Sequence, residues 1–344
     1  MAEYYFRIPA LEELTIPQQA ALAETGQIAI SGGPGTGKSV VSLYRHITNY
    51  DIGKKSLLIT YTTTLAKYLA DSCRLRKLNA SKNVRSAYAG CPKSYEHFEE
   101  VIIDEAQDLD KDYYDKISQF KVSYGADESQ ILYPEHCSSE KELQSRYPSN
   151  VGYTLDKNFR NTQSIMNFAR TVFPNAFIPM SLINALSNNP GEPPTLIITG
   201  GNAFGETSNA KQNSAIKQII DAFSNDVTNI AILVPFKNGV KAFKNILEEM
   251  GITDYSYYYE DSNDFPHGCN SIKNIHITTF KSAKGLEFDT VIIPNFDKMN
   301  NLIGKYHIEW NDYYVAVTRT RSNLYLMSSI NIPNINSVVT VAHI

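Results

Sequence analysis

The run Ser31-Gly32-Gly33-Pro34-Gly35-Thr36-Gly37-Lys38-Ser39-Val40 fits the pattern G-x-x-x-x-G-K-[ST] without a mismatch. Residues of these types at this spacing do phosphate chemistry. Glycines let successive backbone N–H groups turn inward around an anion, and a helix opening behind them adds its positive end. Gly33, Pro34, Gly35, Thr36 and Gly37 would form the cradle, with Val40 in the first helical turn. Lys38 would reach the β- and γ-phosphates, and the Ser39 hydroxyl would ligate Mg²⁺. A second constellation, Val101-Ile102-Ile103-Asp104-Glu105, is an apolar run ending in adjacent carboxylates. If that strand points at the loop, Asp104 lies beside the metal and Glu105 beside the attacking water as general base. The two together predict hydrolysis of a nucleoside triphosphate rather than binding alone.

Such a site needs a strand before the glycines and a helix after them. Residues 27–30 read as a short buried strand and residues 39–45 as the first turns of a helix. Upstream, Thr15-Ile16-Pro17 reads as an N-cap with an early proline, and the helix through Gln18 stops near Gly26. Strand-like runs recur at 56–61 and 100–104, and a second set follows at 195–198, 230–234, 275–279, 290–293 and 324–327. Alternation of this kind predicts parallel sheets with helices on both faces. The expected fold is α/β with two lobes, residues 1–153 and 154–344. The tyrosine-rich run 255–259 reads as an amphipathic strand in preference to a base-stacking platform.

At 344 residues and 42% hydrophobic residues the chain is long enough and apolar enough for two cores. Its 32 basic and 36 acidic residues give a net charge of −4, so no global basic field advertises nucleic acid, although a local groove is compatible with it. Four scattered cysteines, Cys73, Cys91, Cys137 and Cys269, form no C-x-x-C pair and read as reduced structural thiols. No stretch reads as a signal peptide or a membrane span, so a soluble, cytoplasmic protein without membrane partners is expected.

With the motifs in this order, and with Asp104-Glu105-Ala106-Gln107-Asp108 among them, the chain resembles the UvrD/Rep-like branch of superfamily 1 helicases from Leu14 to about Leu326. The resemblance implies two RecA-like P-loop NTPase lobes, each a mostly parallel sheet flanked by helices, with ATP and Mg²⁺ as cofactors. It gives Gln18 the adenine edge, Tyr61 a base-stacking position on single-stranded nucleic acid, and Gln130 the γ-phosphate. In the second lobe it gives Phe159 the adenine face, Arg160 the γ-phosphate, Glu287 the ribose, Thr279 a nucleic-acid phosphate and Arg319 a second arginine finger. ATP would then close the lobes and hydrolysis open them.

Two departures bear on strand binding. The tryptophan-containing continuation of the glutamine motif is replaced by a run containing Tyr133, and the histidine before Ser282-Ala283-Lys284-Gly285 is Lys281, which keeps a phosphate partner. The family's inserted subdomains are missing as well. Only residues 67–100 lie between the strand-end motif and the Asp-Glu strand, and only 252–274 precede the second lobe's long motif. A minimal two-lobe motor follows, acting on single-stranded nucleic acid, DNA in the first place. The alternative is an ATP-dependent switch that gates a partner protein such as a nuclease, without unwinding of its own.

Overall fold

A computed structural model describes all residues except 1, 2, 6, 94, 95, 133–137, 201–205, 261–265, 269 and 270. Tyr133, Cys137 and Cys269 therefore lie outside the described residues. The chain divides into two compact units, Phe6–Phe159 and Met1–Tyr5 with Arg160–Ile344.

The first lobe runs α1 (Ile16–Ala23), β1 (Ile28–Gly32), α2 (Lys38–Asp51), β2 (Ser56–Thr60), α3 (Thr63–Arg74), α4 (Leu78–Ser81), β3 (Val84–Ser86), β4 (Glu100–Asp104), α5 (Lys111–Lys116), β5 (Val122–Ala126), α6 (Glu140–Arg146) and β6 (Val151–Leu155). The sheet order is β3-β2-β4-β5-β1-β6, with every neighbouring pair parallel. Strands β2, β4 and β5 are buried along their whole length, and β2 and β4 carry the Val, Ile and Leu runs expected when helices cover both faces. The register Thr60↔Asp104 and Ile30↔Gly125 brings the carboxyl ends of these strands side by side. α1 begins at a reciprocal cap, in which Gln18 N donates to Thr15 Oγ1 at 3.4 Å and Thr15 N donates to Gln18 Oε1 at 2.8 Å.

α2 is anchored from beneath by a buried ion pair. Arg45 Nε lies 2.8 Å from Glu100 Oε1, Asn49 Nδ2 donates to Glu100 Oε2 at 2.7 Å, and Arg45 also donates to the carbonyls of Glu24 and Gly26 that end α1. Removing one partner from such a pair costs roughly 3–5 kcal/mol, so helix, strand and loop are held in one geometry. β6 adds the outer strand beside β1, which carries the first unit past residue 153 to Phe159.

The second lobe runs α7 (Gln163–Val172), α8 (Met180–Ala185), β7 (Thr195–Ile198), α9 (Glu206–Phe223), β8 (Ile230–Val234), α10 (Lys237–Glu249), β9 (Ser256–Glu260), β10 (Pro266–Gly268), β11 (Ile275–Thr279), β12 (Phe288–Ile293), α11 (Met299–Leu302), α12 (Trp310–Thr318), β13 (Thr320–Ser328) and β14 (Thr340–His343). Its sheet order is β10-β9-β11-β8-β12-β13-β7-β14, with only β9 and β10 pairing antiparallel. α9 and α10 pack on one face through Ile216, Ile220, Val240, Phe243 and Leu247 against Ile230, Ile232 and Ile277. The tyrosine run is strand β9, with Tyr258 and Tyr259 buried and the Tyr257 ring under Lys244 Nζ at 3.8 Å. The start of the chain belongs here too. Tyr4 N donates to Ile272 O at 3.1 Å, its ring meets Phe288 edge-on at 5.9 Å, and Tyr5 exchanges two backbone bonds with the Asn229 amide.

Among the described residues, β2 and β4 are joined by α3, α4, β3 and short turns, and α10 and β11 by β9 and β10. No helix of the described residues is long and apolar enough to cross a membrane.

Candidate nucleotide site and its counterpart in the second lobe

β1 delivers the glycine loop and α2 receives it. Gly37 caps α2 in the left-handed region at φ 89°, which favours glycine, and a Cβ there would meet Gln18 Nε2. Gln18 is buried; its Nε2 donates to Thr36 O at 3.0 Å and its Oε1 serves the cap of α1. Thr36 Oγ1 donates to Gly33 O at 2.8 Å. Phe159 N donates to Gly35 O at 2.9 Å, and its ring is exposed with Lys157 Nζ 4.9 Å from its centre.

Lys38 Nζ donates to Gly32 O at 2.7 Å, to Gly33 O at 2.9 Å and to Asp127 Oδ2 at 3.2 Å. Asp127 also accepts from Ser129 through Oδ1 and from Gln130 Nε2 through Oδ2, and its own N–H donates to Gln107 Oε1 at 3.1 Å. Gln107 Nε2 in turn donates to Glu105 Oε2 at 2.7 Å. A continuous hydrogen-bonded chain therefore runs from the loop lysine through Asp127 and Gln107 to the candidate base. Glu105 itself sits at φ 56° immediately after β4. A left-handed glutamate costs about 1–3 kcal/mol and persists where the surroundings over-determine it, typically at functional positions.

Asp104 ends β4 under the loop. Ser42 Oγ donates to its Oδ1 at 3.4 Å and the nearby Ser39 hydroxyl favours the charged form, yet Oδ2 is buried without a partner. Burial first, and the neighbouring Glu105 carboxylate second, push the Asp104 carboxyl up to about 7. A buried oxygen without a donor, on a carboxyl beside a serine hydroxyl, fits a hard divalent cation. Mg²⁺ needs only one or two protein oxygens when phosphate and water fill its octahedron. Among the described residues no cluster of three or more His, Cys, Asp or Glu offers a self-contained metal cage.

In the second lobe the basic residues are paired. Arg160 Nε lies 3.1 Å from Glu287 Oε2 and Arg321 Nη1 2.6 Å from Oε1, while the Tyr4 hydroxyl donates to the Glu287 carbonyl. Burial alone would raise the Glu287 carboxyl, but the two guanidinium groups outweigh it and hold the group below the usual range. Arg319 is buried and donates to Val315 O at 3.2 Å and Leu286 O at 3.4 Å. Thr279 Oγ1 caps the next turn by accepting from Ser282 N at 3.2 Å, and Lys281 Nζ stands 4.0 Å from Asp312 Oδ1. In the first lobe Tyr61, just past β2, pairs with Tyr88 at a ring distance of 5.3 Å with their hydroxyls 3.2 Å apart.

The structure thus assembles Gln18, Gly33, Pro34, Gly35, Thr36, Gly37, Lys38, Ser39, Val40, Asp104, Glu105, Gln130 and Phe159 within one lobe, and Arg160 and Glu287 within the other. It adds Asp127, Gln107, Arg321 and Tyr88. Gln107 stood inside the quoted Asp-Glu-Ala-Gln-Asp run without a role, and the pairing that marks it, Asp127 and Arg321 is tertiary. Tyr88 had no local signal.

A glycine loop between a parallel strand and its helix, with an Asp-Glu strand end beneath it, defines a P-loop NTPase lobe of the RecA-like kind. Residues 259–331 match the family profile of the UvrD-like helicase C-terminal domain. A protein of Acanthamoeba polyphaga mimivirus that carries the name ATP-dependent DNA helicase R568 is 29% identical over 258 residues, 67% of this chain and 34% of its own. Over these stretches this chain is similar to the UvrD-like superfamily 1 helicases. It spans about a third of the length of that relative. Among solved structures, Pif1 helicase from Candida albicans is similar with a TM-score of 0.46 and 12% identity, covering 95% of this chain and 97% of that one. The PRRSV helicase gives a TM-score of 0.45 and 15% identity, over 91% and 54%.

Proposed function

We propose that this chain is an ATPase that moves along, or remodels, single-stranded nucleic acid. The observation that best supports hydrolysis is the unpartnered Asp104 Oδ2 beside Ser39, under a loop whose lysine is hydrogen-bonded through Asp127 and Gln107 to Glu105. In this reading Lys38 leaves the Gly32 and Gly33 carbonyls for phosphate oxygens, and the loop N–H groups hold the anion. Asp104 and Ser39 would hold Mg²⁺, which would supply positive charge to offset the phosphates. Glu105 accepts the proton of the attacking water, with Gln107 fixing the carboxylate's orientation. Gln130, Arg160 and Arg319 serve the γ-phosphate, Gln18 and Phe159 the adenine, and Glu287 the ribose. Tyr61, Thr279 and Lys281 serve the nucleic acid.

The name of the mimivirus relative carries ATP and DNA, and on that ground both are proposed here. The test is the steady-state rate of ATP turnover by the chain alone and with single-stranded DNA, duplex DNA or single-stranded RNA. Lys38→Ala is the blank and is expected to turn over on the order of a thousandfold more slowly. A large rise with one single-stranded polymer supports the motor and names its track. A flat response above the blank favours the nucleotide-controlled switch that gates a partner protein.

A further inference from the structure

The turn between α11 and α12 holds an exposed aromatic ring on strained backbone. Gly304 N donates to Ile308 O at 2.9 Å and Ile308 N to Lys305 O at 3.0 Å. The two central residues, Tyr306 and His307, have φ 55° and 59°. Two left-handed residues in succession make a type I′ turn, whose positions glycine, asparagine and aspartate ordinarily fill. Glycine would fold this turn without strain, so the tyrosine is not there for the backbone's benefit. Nor is it there for the core, because Tyr306 is 75% exposed. Strain kept at an exposed ring is a reason to look for a ligand.

The surroundings indicate which ligand. The Tyr306 ring meets Phe236 edge-on at 5.9 Å and 90°. Phe236 follows the carboxyl end of β8, where Val234 pairs with Thr279 and accepts from Phe280 N at 3.0 Å. α12 begins just after the turn and returns to the same place, with Tyr313 4.8 Å from the Phe280 ring and Asp312 beside Lys281. The turn, Phe236 and the Thr279–Lys281 segment therefore share one end of the second sheet. Lys305 and His307 flank the ring, and Lys237 follows Phe236. The nearby acids are occupied in capping α12, Glu309 at the cap and Asp312 reaching back to the Glu309 N–H at 2.8 Å. An exposed ring beside lysines, next to the threonine and lysine proposed to meet phosphate, is what a single strand needs, since every base has a face to stack and every linkage a charge.

We propose that Tyr306, backed by Phe236, is a base-stacking platform for the single strand whose phosphates run over Thr279 and Lys281. The inference rests on the nucleic-acid reading above and adds a site to it. The test measures binding of a fluorescent oligothymidylate at fixed salt to the wild-type chain and to Tyr306→Gly and Tyr306→Trp, with the melting temperature of each. Tyr306→Gly removes the ring and the strain together, so its melting temperature should be unchanged or higher while binding weakens about tenfold. Tyr306→Trp should keep the affinity. Wild-type binding with equal affinity in Tyr306→Gly overturns the platform and leaves the nucleic-acid reading intact. A wild-type chain that binds no single strand overturns that reading, and the platform with it.

Discussion

Asp104 in the first lobe is buried and Glu287 in the second half-buried, both on motif residues, and their carboxyls are displaced in opposite directions. Asp104 is pushed up to about 7 by burial and by the Glu105 carboxylate, with one oxygen unpartnered. Glu287 is held low, because Arg160 and Arg321 each bring a guanidinium within hydrogen-bonding distance and outweigh the desolvation of the carboxyl. The difference teaches that one carboxyl keeps an oxygen without a donor, where the proposed Mg²⁺ would sit, and the other already holds two cations. The first trades stability for readiness, whereas the second contributes to the fold of its lobe.

The contrast breaks most visibly at Glu287. Replacing it with alanine strands two largely buried guanidinium groups, and the chain should lose about 3 kcal/mol in urea unfolding at pH 7. Because the folded carboxyl lies below its unfolded value, the stability it contributes is present above the ordinary carboxylate range and lost as pH falls through the folded value. The wild-type advantage over Glu287→Ala should therefore vanish in acid. An unchanged unfolding midpoint at pH 7 would show that the pairing is incidental.

Asp104→Asn should act with the opposite sign. The wild-type carboxyl keeps its proton to about 7 when folded but releases it near 4 when unfolded, so stability falls as pH rises through that window. The variant should be more stable than wild type at pH 7.5 by on the order of 1 kcal/mol, with the gain gone below pH 4, while ATP turnover is abolished. A variant less stable than wild type at pH 7.5 would mean the carboxylate is already satisfied.

The smallest effect should come from Lys281→Met. Asp312 is pushed up to about 6 by burial despite Lys281 at 4.0 Å, so it is a mild second-lobe version of Asp104. Removing the ammonium should raise that carboxyl further and steepen the fall of stability between pH 4 and 7, at a cost of about 0.5 kcal/mol at neutral pH. A pH profile that overlays wild type would separate the two groups electrostatically.

Much of the fold was legible because the buried parallel strands are written as unbroken apolar runs. The strands at residues 28–32, 56–60, 100–104, 195–198, 230–234 and 275–279 stand where the sequence puts them. Thr15 caps α1 as its side chain and proline spacing predict. The short strands β3, β10 and β14 carry little apolar signal, since they lie at or beside sheet edges and pair on fewer sides. The unit boundary and the start of the chain were not legible either. β6 has an exposed face and spans the boundary expected at residue 153, and Tyr4 joins the second lobe through the Ile272 carbonyl and the Phe288 ring, which no local pattern announces.

The sequence by itself determined the phosphate loop, the Asp-Glu strand end and the order of the motifs. These rest on local rules: glycine where φ is positive, a helix opening behind the loop, carboxylates at the end of a buried run. Only the tertiary structure decided what the charged groups do to one another. Lys38 reaches Asp127 across 89 positions of chain, Arg160 reaches Glu287 across 127, and Tyr306 meets Phe236. Coulombic and hydrogen-bonding energies depend on distance and burial, and those are fixed when the strands pair and the helices cover them.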